Sequence, residues 1–131
     1  MTTILIAEDN AMVGLLMQAD LEDAGYSVLG PFPRSAAALA AAAENDINLA
    51  LLDIDLASGD SGIDLAREIG RRHGTPCLFV TGQAYEAAQS NGLAMGALAK
   101  PFSSATLLDA VADALRKIEG EPARTGAVAW F

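Results

Sequence analysis

Leu49-Ala50-Leu51-Leu52-Asp53-Ile54-Asp55-Leu56-Ala57-Ser58-Gly59-Asp60-Ser61-Gly62 is the stretch on which the fold turns. Four apolar residues end abruptly at Asp53. A second aspartate follows at Asp55, then a loop carrying Gly59 and Gly62. A short apolar run bounded by turn residues suits a strand buried on both faces of a parallel sheet. Ligands of open α/β sheets bind beyond the carboxyl ends of the strands. A carboxylate at that place is a candidate for chemistry rather than packing.

On either side of this stretch the chain alternates between strand and helix patterns. Thr3 to Ala7 predicts strand one, ending in Glu8-Asp9. Asn10 is a good N-cap for a helix from about Ala11 to Ala24, with Met12, Leu15, Leu16, Ala19 and Ala24 at roughly helical spacing and Gly25 as its stop. Tyr26 to Gly30 predicts strand two, and Pro31-Phe32-Pro33 is expected to break regular structure. Ser35 caps an alanine-rich helix from about Ala36 to Glu44, read as a surface helix with a small-residue face. Strand three is Asn48 to Leu52. A helix from about Gly62 to Arg72 follows, and Arg67, Arg71 and Arg72 suit the negative end of its dipole. Pro76 to Val80 is strand four, ending in Thr81-Gly82. A short helix is expected near Tyr85 to Ser90. Gly96 to Ala99 is a weak strand five that stops at Lys100-Pro101. Ser103 or Ser104 caps the last helix, to about Ile118, with Leu107, Leu108, Val111 and Leu115 as one apolar stripe. Five such βα units predict a doubly wound parallel sheet with helices on both faces.

At 131 residues the chain is one domain. Residues 1–119 carry the fold, and 120–131 read as a tail. Its Trp130-Phe131 either packs on its own domain or docks a partner or second protomer, so a homodimer is a possible outcome. The net charge of -9 opposes non-specific nucleic-acid binding, which needs basic residues, so no nucleic-acid partner is expected. No window of ~18 apolar residues predicts a membrane span. Met1-Thr2-Thr3-Ile4 lacks the basic flank of a secretory signal, and the single Cys77 cannot form an internal disulfide. A cytoplasmic location is the expectation. His73 has no second His or Cys at ligand spacing and reads as structural or solvated.

The polar groups at the strand ends form a set. Strand one delivers Glu8 and Asp9, strand three Asp53 and then Asp55, strand four Thr81, and strand five Lys100. Carboxylates from adjacent strands repel one another unless a cation lies between them. A small all-oxygen set fits Mg²⁺. A lysine balances charge on an anion, and a threonine hydroxyl bonds a phosphoryl oxygen. Together they describe phosphoryl transfer to an aspartate. Asp53 and Asp55 share a face if the strand continues. The apolar run stops at Leu52, so Asp53 is the first residue free to face the site.

Ala7-Glu8-Asp9-Asn10, Leu51-Leu52-Asp53-Ile54-Asp55-Leu56, Val80-Thr81-Gly82 and Lys100-Pro101-Phe102 resemble the signature of response-regulator receiver domains of two-component signalling, from Thr3 to Ile118. The resemblance implies a flavodoxin-like five-stranded parallel sheet of order 2-1-3-4-5. It implies Asp53 as the phosphoacceptor. Glu8, Asp9 and Asp53 would bind Mg²⁺ with the backbone carbonyl of Asp55. Thr81 would bond the phosphoryl group and Lys100 would pair with it, with a Lys100-Pro101 bond that is often cis. It also implies a histidine kinase or histidine phosphotransfer protein as donor, a downstream protein target, and no enzymatic turnover beyond self-phosphorylation and autodephosphorylation.

The chain departs from the family in places. Ala97 stands where receivers usually carry a rotamer-switching aromatic, and Ala57 where a proline is usual. The loop to Gly62 is one residue longer. Phe79-Val80-Thr81-Gly82 partly resembles a subgroup of stand-alone receivers with Phe-Ala-Thr-Gly, which tend to lack the aromatic. Two other readings stand beside the phosphorelay one. The first is a degenerate receiver acting as an adaptor without phosphorylation. The second is a haloacid-dehalogenase-type phosphatase, suggested by Asp53-Ile54-Asp55.

Overall fold

Side chains along the central strands alternate between two apolar layers. Ile4 and Ile6, Leu49 and Leu51, Leu78 and Val80, and Leu98 join one layer with Met17, Leu21, Leu107, Ala110, Val111 and Ala114. Leu5, Ala7, Ala50, Leu52, Cys77, Phe79 and Ala97 join the other with Ala38, Ala42, Leu65, Ala66 and Ile69. The period of two along a strand sends neighbouring residues to opposite faces. A strand with both faces buried must then be apolar throughout, and Leu49–Leu52 is.

The computed structural model describes residues 1–83, 87–89 and 92–131. Its elements run β1 Thr3–Ala7, α1 Ala11–Asp23, β2 Ser27–Phe32, α2 Ser35–Glu44, β3 Leu49–Leu52, α3 Gly62–His73, β4 Cys77–Thr81, β5 Gly96–Ala99, α4 Ser104–Ile118 and β6 Ala129–Trp130. The helix expected near Tyr85 to Ser90 lies largely outside the described residues. The sheet order is β2-β1-β3-β4-β5-β6. The first five strands are parallel, in the expected order 2-1-3-4-5. Helices α1 and α4 cover one face, α2 and α3 the other. The expected five strands gain a sixth: β6 pairs antiparallel with β5, Gly96 against Trp130 and Ala97 against Ala129.

Three local expectations are corrected. The stripe expected to anchor α1 points outward: Met12, Leu15 and Leu16 are 69%, 59% and 57% exposed. Gly14, Met17 and Leu21 face the sheet instead. Apolar residues surround this helix, so spacing alone does not choose its buried face. Pro31-Phe32 does not break β2, which runs through Phe32. β2 is an edge strand, where a residue without an N–H is tolerated, and the β1–β2 register shifts between Leu5 and Ala7 to absorb it. Ser35 is not the cap of α2 but its first residue. Its N–H donates to Asp60 Oδ2 at 2.9 Å, so the cap comes from the loop after β3.

Other ends follow local chemistry. Asn10 Oδ1 accepts from the Val13 N–H at 3.1 Å, Ser61 caps α3, and Ser103 rather than Ser104 caps α4. Gly74, left-handed at φ 66, stops α3, and Arg71, Arg72 and His73 sit in its last turn.

Candidate functional site

Three of the strands that feed the site, β1, β3 and β5, are pinned to a neighbour one residue beyond their ends. Glu8 N–H donates to the Phe32 carbonyl at 2.9 Å, Asp53 N–H to the Ala7 carbonyl at 2.9 Å, and Lys100 N–H to the Thr81 carbonyl at 3.1 Å. Parallel strands of nearly equal length stop at one level, so three separate segments deliver their first polar residues to one edge.

The carboxylates of Glu8, Asp9 and Asp53 converge there, with one oxygen of each within 4.8 Å of the others. Glu8 and Asp53 are buried, at 3% and 8% exposure, while Asp9 is open to solvent. Lys100 Nζ lies 2.5 Å from Glu8 Oε1 and 3.0 Å from Asp53 Oδ2. Only the Asp53 contact has hydrogen-bond geometry. Glu8 Oε2 accepts the Asn10 N–H at 3.1 Å, whereas the buried Oε1 is left without a hydrogen bond. Burial pushes the Glu8 carboxyl above its ordinary range, and the Asp53 charge adds to this, against the close Lys100 ammonium and the hydrogen bond from the Asn10 N–H. For Lys100, burial works against the ammonium, but its close contacts with the Glu8 and Asp53 carboxylates and their charges prevail and raise its pKa. The lysine is held charged between two acids.

These residues suit a small hard cation. Three carboxylates from two strand ends converge, and one of them presents a buried oxygen that makes no hydrogen bond and faces the Lys100 ammonium alone. Oxygen-only donors with room for water are the coordination Mg²⁺ prefers.

Thr81 is fully buried at the end of β4, and its Oγ1 accepts the Gln83 N–H at 3.0 Å. Asp55 stands apart from the acidic set. Its residue bridges Ser61 across the loop, and its exposed carboxylate accepts from the Gln83 side chain. The Lys100–Pro101 bond is cis.

Sequence reasoning did not find Gln83, which touches both Thr81 and Asp55, because no spacing rule marks a single amide two residues past a strand. It noted Gly62 as a loop residue and as the start of the next helix, not as a point of close backbone approach. A β-carbon there would collide with the Asp53 carbonyl oxygen and come 2.9 Å from Ile54 Cα. The Gly62 N–H also donates to the Ile54 carbonyl at 2.6 Å. Gly62 thus lets the start of α3 press against the Asp53 backbone. Beside the site, a groove of about 410 Å³ runs between α1 and the Lys100-Pro101-Phe102 segment, with Val13, Leu16 and Met17 on its α1 side.

Comparison with known proteins agrees with this geometry. The chain is 32% identical over 117 residues to the regulatory protein VanR of Enterococcus faecium, covering 87% of this chain and 50% of VanR. It is 31% identical over 130 residues to the transcriptional regulatory protein PdtaR of Mycobacterium tuberculosis, covering 96% of this chain and 62% of PdtaR. It therefore spans about half to three fifths of the length of these two relatives. Among solved structures, a CheY-like response regulator receiver domain protein from Methanospirillum hungatei JF-1 superposes with a TM-score of 0.82 at 28% identity, over 92% of this chain and 98% of that one. The description "Response regulator receiver domain" matches residues 4–112. The chain belongs to the response-regulator receiver domain family of two-component signalling.

Proposed function

We propose that this chain accepts a phosphoryl group on Asp53 from the phosphohistidine of a histidine kinase or phosphotransfer protein, acts in the cytoplasm, and signals through protein–protein contacts. The observation that carries this reading is the convergence of Glu8, Asp9 and Asp53 around Lys100. In the transfer an Asp53 carboxylate oxygen attacks phosphorus. The phosphorus–nitrogen bond breaks and its electron pair leaves on the donor imidazole, forming an acyl phosphate. Lys100, 3.0 Å from Oδ2, offsets the charge gathering on the phosphoryl oxygens. Thr81 Oγ1 already accepts from Gln83, so its own hydroxyl proton is available to a phosphoryl oxygen. Glu8, Asp9 and Asp53, with the Asp55 backbone carbonyl, would hold Mg²⁺, which when bound neutralises charge during transfer. Attack by water on the same phosphorus would return Asp53. The protein is the acceptor, so the chemistry is self-modification rather than turnover of an external substrate. The apolar outer face of α1 and the groove beside Lys100 support docking of the donor there.

The test is intact-mass measurement after incubation with acetyl phosphate or phosphoramidate and Mg²⁺. The expected result is a gain of one phosphoryl that needs Mg²⁺ and disappears in Asp53→Ala. No gain, or a gain that survives Asp53→Ala, overturns the reading. A phosphorylation-independent adaptor has one observation in its favour: Ala97 is buried and has no rotamers with which to switch. The same mass measurement separates the two.

A further inference from the structure

The segment that follows α4 is held by groups that the site chemistry does not use. Asp113 on α4 is fully buried. Its Oδ1 accepts from the Arg124 N–H at 2.9 Å and from Arg116 Nη1 at 2.5 Å. Its Oδ2 accepts from the Thr125 N–H at 3.0 Å and from Thr125 Oγ1 at 2.5 Å. Burying a carboxylate is costly unless its oxygens are satisfied. Here three of the four donors belong to the segment at 124–125.

Beyond that lock, Val128 enters the α1/α4 apolar layer at 7% exposure, and Lys117 Nζ sits 4.5 Å from the centre of the Trp130 ring. The Phe131 N–H donates to the Met95 carbonyl at 3.0 Å. β5 is shaped to receive the segment: a β-carbon on Gly96 would collide with the Ala129 carbonyl oxygen and lie 2.8 Å from Val128 Cγ1.

β5 is only four residues long, and it is shared. On one side it pairs with β4, Ala99 against Thr81. On the other it pairs with β6. Its next residue is Lys100, held between Glu8 and Asp53. The strand that positions the lysine is therefore clamped by the segment after α4. At Ala97 no side chain can change rotamer, so a signal leaving the site along β5 meets β6 first.

We propose that residues 124–131 form a strap that holds β5 in the arrangement with Lys100 on the Glu8 and Asp53 carboxylates, and that phosphorylation of Asp53 loosens it, freeing the β5 edge as the output surface. This rests on the Asp53 reading above. The added phosphoryl charge draws Lys100 away from its present partners. β5 follows, and the β6 pairing that resists the shift is only two residues long.

Hydrogen exchange of the intact chain tests it, with intact mass read on the same samples. With acetyl phosphate and Mg²⁺, amides in 124–131 are expected to exchange at least about fivefold faster, the low end of ordinary coupling between sites, and to stay unchanged in Asp53→Asn. A phosphoryl gain with unaltered or slower exchange overturns the strap while leaving the acceptor assignment standing. The same exchange change in Asp53→Asn also overturns the strap. No phosphoryl gain overturns the acceptor assignment and the strap with it. Thr125→Val supplies a reciprocal readout, because it loosens the strap without touching the site. It should bind the phosphoryl mimic beryllofluoride, with Mg²⁺, more tightly than the parent chain, and equal affinity overturns the coupling.

Discussion

Lys100→Met removes the one cation among the described residues that stands between two buried carboxylates while keeping the aliphatic stem. Lys100 is 22% exposed at its side chain, Glu8 2% and Asp53 11%. At contacts of 2.5 and 3.0 Å each attraction is worth on the order of 5–7 kcal/mol in a protein-like dielectric, most of which offsets the cost of taking the charges out of water. Truncating one partner of such a cluster typically costs about 2–5 kcal/mol, because the remaining charges stay buried without a partner. We take about 2–3 kcal/mol, since the cluster opens to solvent on its Asp9 side. For a domain of this size that lowers Tm by roughly 6–12 °C. A divalent cation held by the same carboxylates would replace the lost charge. Thermal melts in chelator and in excess Mg²⁺ therefore should show a large deficit in the first and a deficit below about 1 kcal/mol in the second. A variant as stable as the parent in chelator, or a deficit that Mg²⁺ leaves untouched, would refute the electrostatic account of the site.

Gly62→Ala is expected to destabilise by about 3 kcal/mol or more, the upper end of overpacking costs, because its β-carbon meets the Asp53 backbone; urea unfolding measures it. For Asp113, burial works toward a raised pKa, but the Thr125 and Arg124 hydrogen bonds and Arg116 outweigh it and hold the carboxyl below its ordinary value of 3.8. Its stabilisation is then fully present above that value and lost as pH falls through the lower folded-state pKa, so Asp113→Asn should flatten the acid limb of a stability–pH curve. Burial pushes the Cys77 thiol up to about 12, so the folded chain should resist a thiol reagent at pH 8 that labels it at once in denaturant. Leu15→Gln and Leu16→Gln should each change stability by less than about 0.5 kcal/mol in the same urea assay.

What could be read from the residues follows from how locally each feature is determined. The strand ends were legible because a parallel strand buried on both faces tolerates no unpaired charge, so the first carboxylate after Leu52 or Ala7 marks where the sheet stops. Asn10 and Ser103 were readable as caps because a cap is a contact three residues long. The α2 cap was not, because its acceptor, Asp60, lies 25 residues away. The buried face of α1 escaped for a different reason: with Met12, Leu15, Leu16, Met17 and Leu21 all apolar, only the packing of Met17 and Leu21 on the sheet decides, and that is tertiary.

The segment after α4 shows the same limit most clearly. Nothing in Arg124-Thr125 or Ala129-Trp130 resembles a strand or a lock by spacing. Its anchor is one aspartate on α4, inside a helix whose apolar stripe gives that position no special weight. Two of the anchor's four donors are backbone N–H groups, which any residue but proline supplies. The reason for Gly96 likewise appears only when Ala129 is placed beside it. Where specificity resides in main-chain donors and in missing side chains, the sequence carries the cause without displaying it. That is also why the Ala97 position misleads when read alone: the aromatic is absent from β5, but an aromatic from elsewhere in the chain, Trp130, is paired against the neighbouring residue Gly96.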